Sequence, residues 1–331
     1  MKKMNSKISF LIVSYNEAEY LENAIESCIK QNVENYEIII GDDGSDDGSL
    51  AIIEEYAKKY PEIIKYFVSD REGIILKNVI ASLRVSAVIE RALEMASGEY
   101  CVVLSGDDYF YETSFFKNAI SFLDNNPDYV AYVGGYEKVW EDRLAVSDSI
   151  VYPRKLYWAR KYVHLSTFVF RKKVFDEGDF LQRFCDDTGL QYSLAFSGKW
   201  KYEQVIMFAY RQRSGSIMHT ANPLQNYIVE LMIFQDVLCK GFLYRQSTAK
   251  YNRALQYVFK HRDELKEEKY KKFLLNCEKY DHNILEMIQN YEDYNFVQKL
   301  SFRIWMNYGK LLETEYRIIG RICNLVYKMR G

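Results

Sequence analysis

Proline is scarce in this chain, with four in 331 residues. None follows Pro223, and glycine thins out there as well. Beyond that point Leu, Ile, Phe and Tyr recur at three- and four-residue spacing, which predicts an almost wholly helical C-terminal part. Cysteine occurs at Cys28, Cys101, Cys185, Cys239, Cys277 and Cys323, never as C-x-x-C. That spacing argues against a zinc site or a disulfide framework and suits a reducing compartment. An excess of one charge is missing too: the formal net charge is -2. Nothing global draws such a chain to nucleic acid, and none is expected as a partner. No apolar run approaches the ~18 residues that a membrane-spanning helix needs. Met1-Lys2-Lys3 followed by Ile8–Val13 imitates a signal peptide, but Asn16-Glu17 follow with no small-residue cleavage site, and the segment reads as a first strand.

What is present supports a large folded unit. Hydrophobic residues make up 48% and charged residues 27%, the balance of a soluble globular chain. Residues 8–13, 36–40, 63–68 and 100–104 read as buried strands. They alternate with helical patterns over 17–31, 50–60 and 78–97. Such alternation implies right-handed crossovers and a parallel sheet. Further strands are expected at 130–134, 166–170 and 204–211, helices at 113–123 and 190–196, and irregular chain over 136–160. A boundary is expected near residue 221, dividing 1–221 from a helical 222–331.

Two loops that follow strands are crowded with carboxylates. One is Gly41-Asp42-Asp43-Gly44-Ser45-Asp46-Asp47-Gly48, and the other is Ser105-Gly106-Asp107-Asp108. Strands of a parallel sheet end on one edge, so the two loops are expected to meet at one crevice, where open α/β sheets bind ligands. Paired carboxylates suit a hard divalent cation that bridges phosphate oxygens. The alternative is plain turn chemistry.

Taken together, the loops resemble those of the family 2 glycosyltransferases, which have the GT-A fold. Ile12-Val13-Ser14-Tyr15-Asn16-Glu17 is similar to that family's opening strand and donor loop. Residues 41–48 are similar to its D-D-G-S-x-D-G loop. Ala96-Ser97-Gly98-Glu99-Tyr100 leading to Leu104-Ser105-Gly106-Asp107-Asp108 is similar to its G-E-Y strand and D-x-D-type motif. Asp186-Asp187 with the later Gly198-Lys199 is similar to its acceptor-side E-D pair and glycine-lysine. Tyr210-Arg211-Gln212-Arg213-Ser214-Gly215-Ser216 is similar to its Y-R-x-x-x-G-S segment. The match runs in order from about residue 8 to 219. It departs at Ser105, where the first aspartate of D-x-D usually stands, and at Asp-Asp in place of Glu-Asp. It departs again between Gly73 and Gly98, a longer stretch than usual, where Lys77-Asn78 only loosely matches a basic-Asn pair. No Q-x-x-R-W motif is present, so a processive polymer synthase is not expected.

The resemblance implies a Rossmann-like mixed sheet flanked by helices, the α/β GT-A fold, with a helical C-terminal extension. It implies an inverting transferase that takes a sugar from a nucleotide-diphospho-sugar, UDP-linked, with Mg2+ or Mn2+ as divalent metal. The implied acceptor is a glycan or lipid-linked sugar in bacterial surface polysaccharide synthesis. Donor contacts would fall on Val13, Tyr15, Glu17, Asp43, Lys77, Asp107 and Arg211. Metal contacts would fall on Asp108 with Asp107, and acid–base work on Asp187 with Asp186.

Each assignment has an ordinary rival. Asp43 accepts from a uracil imide N–H, or it caps the next helix; capping needs one of the loop's four aspartates, and Asp46 or Asp47 suffices. Tyr15 stacks on the base or is a core-edge tyrosine. Asp187 takes the acceptor hydroxyl's proton or caps the helix before Leu190. Arg211 and Arg213 pair with diphosphate oxygens or are surface charges, Arg213 being the weaker candidate. His164, His219, His261 and His282 lack metal-ligand spacing. Residues 310–330 combine an apolar stripe with Lys310, Arg317, Arg321, Lys328 and Arg330. They fit either a helix on an anionic membrane surface or a helix packed on the catalytic domain. The expected location is cytoplasmic, or peripheral on the inner face of the cell membrane. Two other functions compete: a sugar-phosphate nucleotidyltransferase, whose Gly-rich basic loop after strand 1 is absent, and a non-catalytic scaffold of a polysaccharide assembly complex.

Overall fold

A computed structural model describes residues 7–69, 81–140, 149–150, 163–177, 187–213, 222–239, 245–271 and 273–274. The chain opens with β1 (Ile8–Ser14), every residue of which is buried. A strand covered on both faces by helices reads as a continuous apolar run rather than an alternation. Burial of Ile8, Phe10, Leu11 and Ile12 contributes about 1.5–3 kcal/mol per side chain. Next comes α1 (Ala18–Ile29), which buries Leu21, Ala24, Ile25 and Cys28, the face its periodicity predicts. Then follow β2 (Tyr36–Asp42), α2 (Ser49–Lys59), β3 (Ile64–Val68), α3 (Ala81–Met95) and β4 (Tyr100–Ser105). The four strands lie in the order β3-β2-β1-β4, all parallel. Register places Ser14 opposite Asp42, and Val13 opposite Ser105. The two carboxylate-rich loops therefore leave the sheet on either side of the end of β1.

The second half adds β5 (Tyr109–Phe110), α4 (Phe115–Asn125), β6 (Tyr129–Trp140), β7 (Ser149–Ile150), β8 (Phe168–Arg171), α5 (Lys173–Glu177), α6 (Asp187–Ser197) and β9 (Lys199–Gln212). The sheet continues β4-β8-β6-β9-β5, with β7 paired to β6. β8 runs antiparallel to β4 and β6, while β6 and β9 are parallel. This is the mixed, helix-flanked sheet of the GT-A fold. Two expectations are corrected here. Residues 136–140, expected to be irregular, extend β6, and β9 begins at Lys199 rather than near 204. Both long strands pair over most of their length, but the ladder shifts register at three places. Each shift breaks the side-chain alternation that sequence reading depends on.

The described residues form two compact units. Those of 7–69, 84–150 and 163–213 make the first, and those of 81–83 and 222–274 the second. In the second, α7 (Pro223–Cys239) and α8 (Arg245–Lys260) pair, burying Ile228, Leu231 and Met232 on one helix and Ala254, Leu255 and Val258 on the other. Among the described residues no helix is long and apolar enough to cross a membrane. Residues 310–330 lie outside the described residues.

At the edge of the sheet opposite the carboxylate loops, one buried charge ties the strand starts together. Glu37 of β2 is 1% exposed. Its Oε1 accepts from Ser9 Oγ at 2.8 Å, Ser97 N at 2.7 Å and Ser97 Oγ at 2.8 Å. Its Oε2 lies 3.0 Å from both Lys7 and Lys65 Nζ. Burial alone would push the Glu37 carboxyl up. The donors from Ser97, Ser9 and Lys65 outweigh it and bring the pKa down to about 2. A depressed carboxylate stabilises the fold fully above its unfolded value near 4.5 and loses that stabilisation as pH falls toward 2. Glu37→Gln is expected to cost about 2–3 kcal/mol at pH 7 and to flatten stability between pH 4.5 and 2. Denaturant melts across that range check this; a variant with wild-type acid sensitivity contradicts it.

Candidate active site

The loop after β1 is pinned by its sequence. Asn16 is the one non-glycine residue at positive φ, 53°, among the described residues, a conformation asparagine tolerates better than most residues. From there its Nδ2 donates to Asp46 Oδ1 at 2.7 Å, and its Oδ1 accepts from Asp46 N at 2.9 Å. Asp47 does the capping. Its Oδ2 accepts from Ala18 N, which opens α1, at 2.9 Å, and its Oδ1 from Ser49 N, which opens α2, at 3.0 Å. Asp42 is fully buried and closes a turn onto Ser45, accepting from its N–H at 2.7 Å and its hydroxyl at 2.6 Å. Three of the loop's four aspartates thus hold the loop.

Asp43 does something else. Its backbone N–H donates to Ser14 O at 2.8 Å, which fixes it beside the end of β1. Its Oδ2 accepts from Arg84 Nε of α3 at 2.8 Å. The Arg84 guanidinium in turn lies 5.5 Å from the centre of the Tyr15 ring. An aromatic face, a carboxylate and a guanidinium therefore stand together at the strand ends. Arg84 was not found by sequence reasoning. It lies 41 residues from Asp43 on a helix whose periodicity marks only its apolar face.

On the other side of β1, Gly106 N donates to Val13 O at 2.8 Å, so Val13 anchors the second loop through its carbonyl. A side chain at Gly106 would strike Glu17 Oε2, 2.4 Å from the position of a Cβ. Glycine is what lets Glu17 lie beneath this turn. Asp108 is fully buried, and its Oδ1 accepts from Arg211 N at 2.8 Å. Arg211 Nε donates to the Asp107 carbonyl at 2.7 Å, and its guanidinium lies over the Tyr20 and Tyr109 rings at 4.7 and 5.4 Å. Arg213 Nε donates to Asp107 Oδ2 at 2.6 Å, and its Nη2 to Glu17 Oε1 at 2.8 Å. The end of β9 thus clasps the Asp107–Asp108 turn with two arginines.

The electrostatics are those of crowded acids. Burial pushes the Asp108 carboxyl well above the usual carboxylate range, and the charge on Asp107 adds to this; the Arg211 N–H and both guanidinium groups oppose it. Glu17 is raised in the same way, first by burial, then by Asp107, with Arg213 pulling against it. Asp108 Oδ2, Glu17 Oε2 and Ser14 Oγ are buried without a hydrogen-bond partner among the described residues. Orphaned buried oxygens cost about 1–3 kcal/mol each and call for a missing donor or cation. No group of three or more His, Cys, Asp or Glu side chains is arranged to chelate an ion among the described residues. The oxygens present do fit a divalent ion of the Mg2+ or Mn2+ kind, which is held through one or two carboxylates and takes its other ligands from substrate phosphates.

The structure therefore brings together Val13, Tyr15, Glu17, Asp43, Asp107, Asp108 and Arg211 around the ends of β1, β2, β4 and β9. It buries Asp108 and Glu17 more deeply than their motifs suggest. Asp187 is the first residue of α6, and its side chain lies outside the described residues, as do Asp186 and Lys77 entirely. His164, set aside by its spacing, is buried against Tyr210 and Phe208, with ring centres 4.6 and 5.0 Å away.

An uncharacterized protein of Mycobacterium tuberculosis, Rv1520, is 26% identical over 225 residues, 65% of this chain and 61% of that protein. The chain thus spans less than two thirds of that relative's length. The minor teichoic acid biosynthesis protein GgaB of Bacillus subtilis is 34% identical over 134 residues, 40% of this chain and 14% of GgaB. Among solved structures, S. aureus TarS 1-349 in complex with UDP-GlcNAc superposes with a TM-score of 0.55 at 16% identity, covering 94% of this chain and 91% of that one; it shares the fold. Residues 9–181, more than half of the chain and the part that carries both carboxylate loops, match the family model described as glycosyl transferase family 2, and the chain belongs to that family.

Proposed function

We propose that the chain is an inverting glycosyltransferase. It moves a sugar from a UDP-linked donor to a glycan or lipid-linked acceptor in bacterial surface polysaccharide synthesis. The observation that carries this reading is the pair of groups flanking the end of β1: Tyr15, Asp43 and Arg84 on one side, Asp107 and Asp108 on the other. A base-recognition group and an acidic group so placed suit the two ends of a nucleoside diphosphate at the edge where α/β sheets bind ligands. The kinship with GgaB, named for teichoic acid biosynthesis, supports a surface-glycan acceptor. The likeness to TarS, solved with UDP-GlcNAc, supports a UDP-sugar.

In this reading Tyr15 stacks on the base and Asp43 accepts from its imide N–H, held in place by Arg84. Val13 fixes the turn that carries Asp107, and Arg211 and Lys77 meet the diphosphate. Asp107 and Asp108 would hold the divalent metal, which when bound would offset the charge of the departing diphosphate. Asp187, with Asp186 beside it, takes the proton of the acceptor hydroxyl on the face opposite the leaving group.

The base-reading step has a sharp test. An Asn at position 43 has an amide that can donate where the carboxylate only accepts. Asp43→Asn should weaken UDP binding by about 1.5–3 kcal/mol, the scale of a charged hydrogen bond. It should also narrow the preference for UDP over CDP, whose ring nitrogen is an acceptor. Calorimetric titration of both nucleotides decides this, and an unchanged UDP/CDP ratio removes Asp43 from base recognition.

A further inference from the structure

Arg213 stands where its charge matters most. It is the guanidinium that bridges two carboxylates from different loops, Glu17 after β1 and Asp107 after β4, at 2.8 and 2.6 Å. All three side chains are largely buried, at 19, 10 and 11% exposure. Arg211, two residues earlier, spends its Nε on the neutral Asp107 carbonyl instead. Arg213 therefore neutralises the carboxylate that the proposed metal also needs. A guanidinium in a short charge-assisted hydrogen bond is a strong competitor for a carboxylate oxygen.

We propose that Arg213 is a tethered counter-cation that weakens divalent-metal binding to the donor-free protein by holding Asp107 to Glu17. The inference rests on the metal-assisted reading above and concerns a residue that reading does not use. It casts Arg213 as a positioning residue. With no metal present, it keeps the acidic loop ordered and its charges paired. The same pairing makes binding of a metal ion alone unfavourable, so that metal and nucleotide diphosphate enter together, the diphosphate supplying further ligands. A merely structural role for Arg213 predicts the opposite sign, because loosening Asp107 would then weaken metal binding.

Mn2+ affinity, read by electron paramagnetic resonance of the free ion without nucleotide and again with UDP, separates these cases. Arg213→Met removes the charge and keeps the apolar stem. It is expected to bind Mn2+ about tenfold more tightly than wild type without nucleotide, on the scale of one nearby charge at partial screening. With UDP present the gap should narrow. Arg213→Lys keeps the charge but loses the two-nitrogen bridge between Asp107 and Glu17, and it should fall between the two. A melting curve on each protein verifies folding, and if Arg213→Met fails to fold, Arg213→Lys decides. Unchanged or weaker Mn2+ binding in the folded variants overturns the inference. Absence of Mn2+ binding in wild type and variants alike, with and without UDP, overturns the metal reading along with it. Binding by wild type without tightening in the variants overturns the role of Arg213 alone.

Discussion

Asp187→Asn is expected to lower the sugar-transfer rate by roughly 10²–10⁴, the contribution of a positioned general base, while leaving the fold and UDP binding intact. Asp187 opens α6, and the resemblance of Asp186-Asp187 with the later Gly198-Lys199 to the family's acceptor-side motif is what proposes it as the base. The competing use, a helix cap, has a different signature. Loss of a cap costs about 1 kcal/mol of stability and moves the melting temperature, not the chemical step. Single-turnover transfer measured beside a melting curve tells them apart. If Asp186→Asn is the inactive variant and Asp187→Asn is active, the base is Asp186.

Asp107→Asn is expected to cost roughly 10²–10³ in transfer rate, the range seen when one group that stabilises developing charge is removed. The side chain keeps its size, and Arg213 retains Glu17 as a partner, so folding should survive. The loss should appear at saturating donor and should not be recovered by millimolar Mn2+. Steady-state kinetics over a Mn2+ series measure it, and wild-type turnover in Asp107→Asn contradicts a role at the diphosphate. Asp108→Asn probes the neighbour. Asp108 is fully buried and receives the Arg211 N–H, so its replacement should disturb the Arg211 anchor as well as the metal.

Much of this was legible because strand ends are legible. The apolar runs of β1, β2 and β4 stop where loop chemistry begins, and parallel pairing then brings the loops to one edge whatever their separation in sequence. The rest depended on side-chain direction and distance. Nothing in the run Asp42–Asp47 says that Asp42 turns onto Ser45, that Asp46 pairs with Asn16 or that Asp47 caps two helices, leaving Asp43 to meet Arg84. Those roles follow from backbone geometry that all four aspartates satisfy equally in sequence. Glu17 reads as a donor-loop residue beside Tyr15 and Asn16, yet Gly106 makes room for it to lie inward toward Arg213. Arg213 read as the weaker of two arginines because strand alternation does not show that both clasp the same turn. The long pairing of β6 with β9 was hidden by register shifts that break alternation in both strands.

The most direct measurement is an NMR time course of the protein with Mn2+ and a panel of UDP-, GDP- and dTDP-linked sugars, following nucleotide release and the anomeric configuration of the transferred or hydrolysed sugar. An inverting UDP-sugar transferase is expected to release UDP from a UDP-sugar, with the first-formed sugar product inverted at the anomeric carbon. Release of no nucleoside diphosphate from any donor, or release with retained configuration, contradicts it.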